Sequence, residues 1–236
     1  MSIGASVPRD RAKRLLLGRG NYVDDISLPR MLHLALVRSP YAHAHVGAIE
    51  TREALALPGV IAVFTAEDLE GAVSSWRAEH KLFPAMAAPE QFALARDVVR
   101  WQGEAVAAVL ANSRAEAEDG AERVSVDWDE LPAITDANQA LAPNAPVLHD
   151  DMSSNLAFET QVTAGDVNAA FADADHVVEE HFRFHRHSGI SLEPRGIIAA
   201  FEPSESRLTV HQSHQTPHQQ QDLYARLLGL PEHKVR

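Results

Sequence analysis

The run Ala105-Val-Ala-Ala-Val-Leu-Ala111, followed at once by Asn112-Ser113-Arg-Ala-Glu116, decides the fold class. Seven consecutive apolar residues bounded by polar ones suit a strand buried on both faces. Ser113 and Glu116 stand three apart, the spacing of a capping box, so a helix is expected to open directly after the strand. Val124 to Trp128 then reads as strand again. Upstream the same rhythm holds. Thr51 can cap a helix that has Glu53 in its first turn, Leu55 and Leu57 as apolar residues and Pro58-Gly59 as its stop, and Val60 to Phe64 follows as a strand. Leu32 to Val37 reads as a buried strand and Val46 to Ile49 as another, separated by the turn-prone Ser39-Pro40. The chain is therefore expected to mix α and β.

Further out, Glu70 to about Arg96 lacks a period and carries Pro84 and Pro89, which predicts a long excursion between elements. Residues 1–14 also lack a period and read as an arm, with order beginning near Leu15. The Pro-containing connection Leu131 to Pro146 is the candidate boundary between two bodies, and the segment before about Leu131 is expected to fold separately. Beyond it, a helix should open at Asp166 with Val167, Ala170, Phe171 and Ala174 as its inner stripe. His176 to Phe184 alternates imperfectly and reads as a long strand. Gly196 to Phe201 is expected to pair with Leu208 to His211 through the hairpin Glu202 to Ser206. Thr216-Pro-His-Gln219 predicts a second capping box with Pro at the first helical position. Leu223, Tyr224, Leu227 and Leu228 form one face of that helix, and Gly229 with Pro231 ends it.

Composition narrows the function. The 236 residues carry a net charge of -12 with His neutral, which disfavours a general nucleic-acid binder because phosphate neutralisation needs a basic face. Charge is uneven: Arg9, Arg11, Lys13, Arg14 and Arg19 cluster early, whereas Glu104 to Asp136 holds nine acids and two arginines. Both stretches read as solvated surface. There is no cysteine, so disulfides, thiolate metal sites and a cysteine nucleophile within this chain are excluded. The seven-residue run is far below the ~18 residues that span a bilayer. Leu15 to Leu17 is too short for a secretory signal, and a cytoplasmic location is the default expectation.

Thirteen histidines raise a metal hypothesis. His43 with His45, and His185 with His187, have the alternating spacing that puts two rings on one face of a strand. Neither pair has a carboxylate at a typical ligand offset, and His211, His214 and His218 lie among glutamines. No Gly-x-Ser-x-Gly elbow and no phosphate-binding glycine loop occurs. Glu193-Pro194-Arg195 either pairs charges at a strand end or positions a substrate. Residue chemistry alone leaves the reaction open.

Longer words of the sequence resemble a known family. Gly18-Arg-Gly-Asn-Tyr-Val-Asp-Asp-Ile26, Met31-Leu-His-Leu-Ala-Leu-Val-Arg-Ser-Pro-Tyr-Ala-His43, Pro58-Gly-Val60 and Thr65-Ala-Glu-Asp68 look like the opening of a molybdenum-containing large subunit. The family is that of xanthine dehydrogenase, aldehyde oxidase and aerobic carbon monoxide dehydrogenase. Gly103-Glu-Ala-Val-Ala107, Ala115-Glu-Ala-Glu-Asp119 and Leu131-Pro-Ala133 continue the pattern, with Ala105 in place of a common Pro. Gly165-Asp-Val167, Ala170-Phe171, Ala174-Asp175, Glu193-Pro-Arg195 and Ser213-His-Gln215 extend it into the second part.

The resemblance implies an α+β fold: an aldehyde oxidase/xanthine dehydrogenase-type α/β hammerhead domain, followed by the beginning of a molybdopterin-binding α/β lobe. It implies an N-terminal arm over 1–15, the hammerhead over 16–134, a linker over 135–155 and an incomplete lobe over 156–236. Family members continue past the equivalent of Lys234-Val-Arg236 into lobes that hold most cofactor contacts and the catalytic glutamate. The implied role is that of a scaffold, inactive alone, within an enzyme that hydroxylates an aldehyde or N-heterocycle or oxidises CO. Its cofactor would be molybdenum-molybdopterin cytosine dinucleotide. The implied partners are the remaining molybdopterin-binding chain, an iron–sulfur subunit with 2Fe-2S clusters and a flavin subunit with FAD, with no nucleic acid and no membrane span. Gln215 matches the position whose amide donates to the apical oxygen ligand of molybdenum. A neutral donor at the positive end of a helix suits that task. A stand-alone hammerhead-type binding or assembly module without molybdenum is the alternative.

Overall fold

The computed structural model describes residues 3–9, 12–185 and 189–236. Its strands are β1 (His33–Arg38), β2 (Ala44–Glu50), β3 (Val60–Thr65), β4 (Val98–Val99), β5 (Ala105–Ala111), β6 (Ser125–Glu130), β7 (Ile197–Glu202) and β8 (Arg207–Gln212). The α-helices are α1 (Ala12–Leu16), α2 (Arg52–Leu55), α3 (Arg114–Glu122), α4 (Val167–Ala172) and α5 (Pro217–Leu227). Strands pair as β1-β5-β3, β4-β2-β6 and β7-β8, and every pair is antiparallel. Segregated antiparallel sheets with flanking helices make an α+β fold.

Strand β5 is the centre of the first sheet, as its unbroken apolar run predicts. Val106, Ala107, Val109 and Ala111 are fully buried. Val106 packs with Ala44, Ala95 and Val99 toward the second sheet, whereas Val109 packs with Ala54 and Val124 on the side of α2 and α3. Ser113 caps α3 as expected, accepting the Glu116 N–H at 3.3 Å, while its hydroxyl donates to Glu116 Oε2 at 2.8 Å. The Glu116 carboxylate lies against Gly59, whose φ of +86° ends the α2 turn. A side chain at Gly59 would strike that carboxylate, so one glycine serves both the stop and the cap.

Strand β1 departs from the sequence expectation of full burial: its residues alternate, with Leu34 57% exposed. It is an edge strand, and only one of its faces meets α3 and the core. Order also begins earlier than Leu15, because α1 covers Ala12–Leu16, yet Leu16 is 88% exposed and no residue of the helix is buried.

The excursion is a strapped loop. Trp76 and Gln91 exchange backbone bonds at 3.0 and 2.8 Å, and the Arg77 guanidinium reaches Asp151 at 2.7 Å. Ala87 N–H donates to the Ala157 carbonyl at 2.8 Å and Ser74 N–H to the Leu227 carbonyl at 2.9 Å. The loop thus touches both the connection and α5. Asn155 bonds Leu148 N–H and the carbonyls of Ala140 and Pro146, which folds the connection on itself.

In the second part the hairpin forms as predicted, with Ile197 opposite Gln212 and Glu202 opposite Arg207. Helix α5 packs Ala225 on Leu208 and Val235, and Val235 bridges Leu208 in parallel. Two sequence expectations fail here. His176 to Phe184 forms no strand, and Val178, Phe182 and Phe184 are 82%, 82% and 92% exposed. Helix α4 opens at its Asp166 cap, but its stripe faces solvent, with Val167 51% and Phe171 60% exposed. The cause is shared: among the described residues nothing lies opposite these segments to pair or cover them.

Gly120, on the buried face of α3, gives a stability prediction. Alanine in a helix interior normally gains about 1 kcal/mol over glycine. Here its methyl would lie 2.8 Å from Val109 Cγ1 and 3.0 Å from Val60 Cγ2, and valines are stiff at χ1. Overpacking costs about 1–3 kcal/mol, so Gly120→Ala should lower the urea midpoint. A raised midpoint would show that the α3 contact is looser than described.

Candidate functional site

The segment Gln212-Ser-His-Gln-Thr216 carries the chain out of β8 and into α5. Pro217 at the first helical position has no N–H to satisfy and fixes φ for the helix, which explains the sharp start. The predicted capping box does not form, because Thr216 makes no side-chain bond to the helix. Its Oγ1 lies 3.0 Å from His214 Nδ1, and the same nitrogen accepts the Thr216 N–H at 3.1 Å. The imidazole has captured the hydroxyl, so among the described residues no side chain caps the first amides of α5. Tyr224 Oη donates to Gln212 Oε1 at 2.5 Å and holds the other end of the segment.

Gln215, the site residue implied by the resemblance, lies exposed one residue before Thr216. Its amide makes no hydrogen bond to a described residue. Helix α5 runs for eleven residues from that point, so partial positive charge gathers beside the amide.

Glu193 is the second focus. It does not pair with Arg195, which is exposed and makes no ion pair among the described residues. Its Oε1 accepts the Val23 N–H at 2.9 Å and its Oε2 accepts the Ser213 hydroxyl. The Ser213 hydroxyl, followed by the Val23 amide, holds the Glu193 carboxyl below the usual carboxylate range.

The His43/His45 pair separates. His43 is buried just before β2, with Nδ1 2.7 Å from the Pro132 carbonyl, whereas His45 is exposed on the strand. The spacing rule fails because His43 precedes the strand. His187 lies outside the described residues, as does Arg11 of the early basic cluster. Among the described residues no three metal-ligating side chains converge.

A cleft of about 210 Å³ that sequence reading missed opens near Arg100, Glu104 and His149. Arg100 Nε donates to the Leu148 carbonyl at 2.7 Å, and the Arg100 backbone N–H donates to Glu104 Oε2 at 2.6 Å. Burial raises the Glu104 carboxyl and, with the Arg100 charge, lowers His149. This knot ties the stretch at Leu148 and His149 to the turn between β4 and β5. Arg100 and Leu148 stand 48 residues apart, so the contact carries no local signal.

Comparison with known proteins places the chain. The model for the aldehyde oxidase and xanthine dehydrogenase a/b hammerhead domain matches residues 17–132, and that for the molybdopterin cofactor-binding domain matches residues 148–236. The carbon monoxide dehydrogenase large chain of Hydrogenophaga pseudoflava is 37% identical over all of this chain and 31% of its own length. The nicotine 6-hydroxylase large subunit of Paenarthrobacter nicotinovorans is also 37% identical, over 98% of this chain and 28% of its own. The crystal structure of quinoline 2-oxidoreductase from Pseudomonas putida 86 superposes with a TM-score of 0.91 at 36% identity, over 100% of this chain and 30% of that one. The chain belongs to the aldehyde oxidase and xanthine dehydrogenase family, and it corresponds to the N-terminal part of the molybdopterin-binding large subunit. It spans about three tenths of the length of the relatives it matches. No helix among the described residues is long and apolar enough to cross a membrane.

The pH dependence of the Glu193 contact follows from its lowered carboxyl. Its stabilisation is fully present above the ordinary value of 4.5 and is lost as pH falls through the lowered one. The stability difference between the parent and Glu193→Gln should therefore shrink as pH drops below 4.5, as urea unfolding at a series of pH values will show. A difference that stays constant into strong acid would mean that the charge is not engaged.

Proposed function

We propose that this chain serves a molybdenum-dependent oxidoreductase that hydroxylates an aldehyde or N-heterocycle or oxidises carbon monoxide, and that it is inactive alone. The division into arm (1–15), hammerhead (16–134), linker (135–155) and incomplete lobe (156–236) belongs to the same reading, which the two matched spans support. The cofactor would be molybdopterin cytosine dinucleotide, with 2Fe-2S and FAD on partner subunits. Names of relatives that refer to carbon monoxide, nicotine and quinoline support the substrate classes. Exposed Leu192, Phe184 and Val178 support an assembly in which further protein covers them. The working compartment would be the cytoplasm.

The observation that carries this reading is the placement of Gln215. When bound, the molybdenum cofactor supplies the redox chemistry. What the chain supplies is a neutral amide donor, exposed and free of described partners, beside the uncapped start of α5. Such a donor can bind an oxygen ligand of the cofactor without adding a charge or a labile proton. The helix amides next to it favour an electron-rich group. The residues present therefore fit the group.

In the complete enzyme, Gln215→Ala should keep the fold and reduce molybdenum retention or turnover about 10- to 100-fold, the usual scale for outer-shell partners of a metal centre. Metal analysis and steady-state kinetics check this, and unchanged metal content with an unchanged rate would sink the assignment. The 236-residue chain purified alone should contain no molybdenum.

A further inference from the structure

Three segments far apart in sequence meet at one carboxylate. Val23 opens the single turn Val23–Asp25, closed by Tyr22 N–H on Asp25 Oδ2 at 2.9 Å. That turn docks on the strand start after Glu193: a Cβ on Gly196 would lie 3.3 Å from Val23 Cγ1, so Val23 sits where Gly196 has no side chain. Glu193 then joins Val23 N–H at 2.9 Å to the Ser213 hydroxyl across separations of 170 and 20 residues.

On the far side of Ser213, each polar side chain from Gln212 to Thr216 has a described partner except one. Gln212 is held by Tyr224, Ser213 by Glu193, and His214 and Thr216 by each other. Gln215 alone is left to point outward. A short turn anchored at both ends restricts the directions its middle residue can present, and removing one anchor releases it.

We propose that Glu193 is a positioning residue for Gln215, anchoring the Ser213–Thr216 turn to the Val23 turn so that the Gln215 amide is held toward the cofactor. The inference rests on the cofactor role of Gln215 given above. In this role Glu193 acts through Ser213, with both of its oxygens already engaged by the chain itself.

The test uses the complete holoenzyme with Glu193→Ala, Ser213→Ala and Gln215→Ala. Hydrogen exchange at the Val23 amide should quicken about ten-fold in Glu193→Ala, the scale of one lost hydrogen bond to a charged group. The electron paramagnetic resonance signal of partly reduced molybdenum should change in Glu193→Ala, in Ser213→Ala and in Gln215→Ala. Adding Glu193→Ala to Gln215→Ala should change it no further. A merely structural strut would lower the melting temperature and leave that signal alone. If Glu193→Ala fails to fold, Ser213→Ala decides, since it removes one hydroxyl from an exposed position. A changed signal in Gln215→Ala with an unchanged one in the other two overturns the positioning role and leaves the Gln215 reading standing. An unchanged signal in all three overturns both.

Discussion

Both faces of strand β5 are largely buried, and the first part of the molecule is arranged around that constraint. Its alternate faces must be covered by different partners. Val109 packs toward the helix layer with Ala54 and Val124, whereas Val106 packs toward the second sheet with Ala44 and Val99. Small side chains make both approaches possible, because alanine at 107, 108 and 111 keeps the strand thin. Gly120 then lets α3 sit directly on Val109 and Val60. Strands β1 and β3 satisfy the backbone of β5 on both edges, so the strand that is hardest to solvate is also the one fully paired.

The same constraint explains why this part was legible in the sequence. A seven-residue apolar run has few alternatives, and local signals at its end agreed with it: Ser113 with Glu116 for the helix start, Gly59 for the preceding stop. Where local pattern and tertiary cover disagreed, pattern lost. The apolar residues of β1 predict burial, yet an edge strand has one covered face, and Leu34 is on the other. Val178 and Phe182 alternate like strand residues, but a strand needs a partner, and among the described residues none is paired with them. Periodicity reports what a segment can do, and the neighbours decide what it does.

The candidate site was legible in a different way. Gln215 has no local physical signature beyond its place before a helix; it was reachable through the family pattern. Glu193 was visible as one member of a charged triplet, and adjacency suggested Arg195 as its partner. The structure gives it Val23 and Ser213 instead. No spacing rule finds a contact across 170 residues. The imidazole of His214 was equally hidden, because the sequence suggested that Thr216 would cap α5, and the ring took the hydroxyl first.

A carboxylate is the right group for the clasp for a reason that bears on the cofactor. A carboxylate can give the backbone N–H and the hydroxyl one oxygen each, and an ionised acceptor holds both bonds about twice as strongly as a neutral amide would. The lowered Glu193 carboxyl keeps that acceptor charged at neutral pH. Its charge is directed at Val23 and at Ser213, the latter two residues before Gln215. The group offered outward is therefore a neutral amide, held in place by a charge that is already satisfied. Reversing the two would present a carboxylate to an electron-rich ligand, where like charge repels, and would leave the turn anchored by the weaker acceptor.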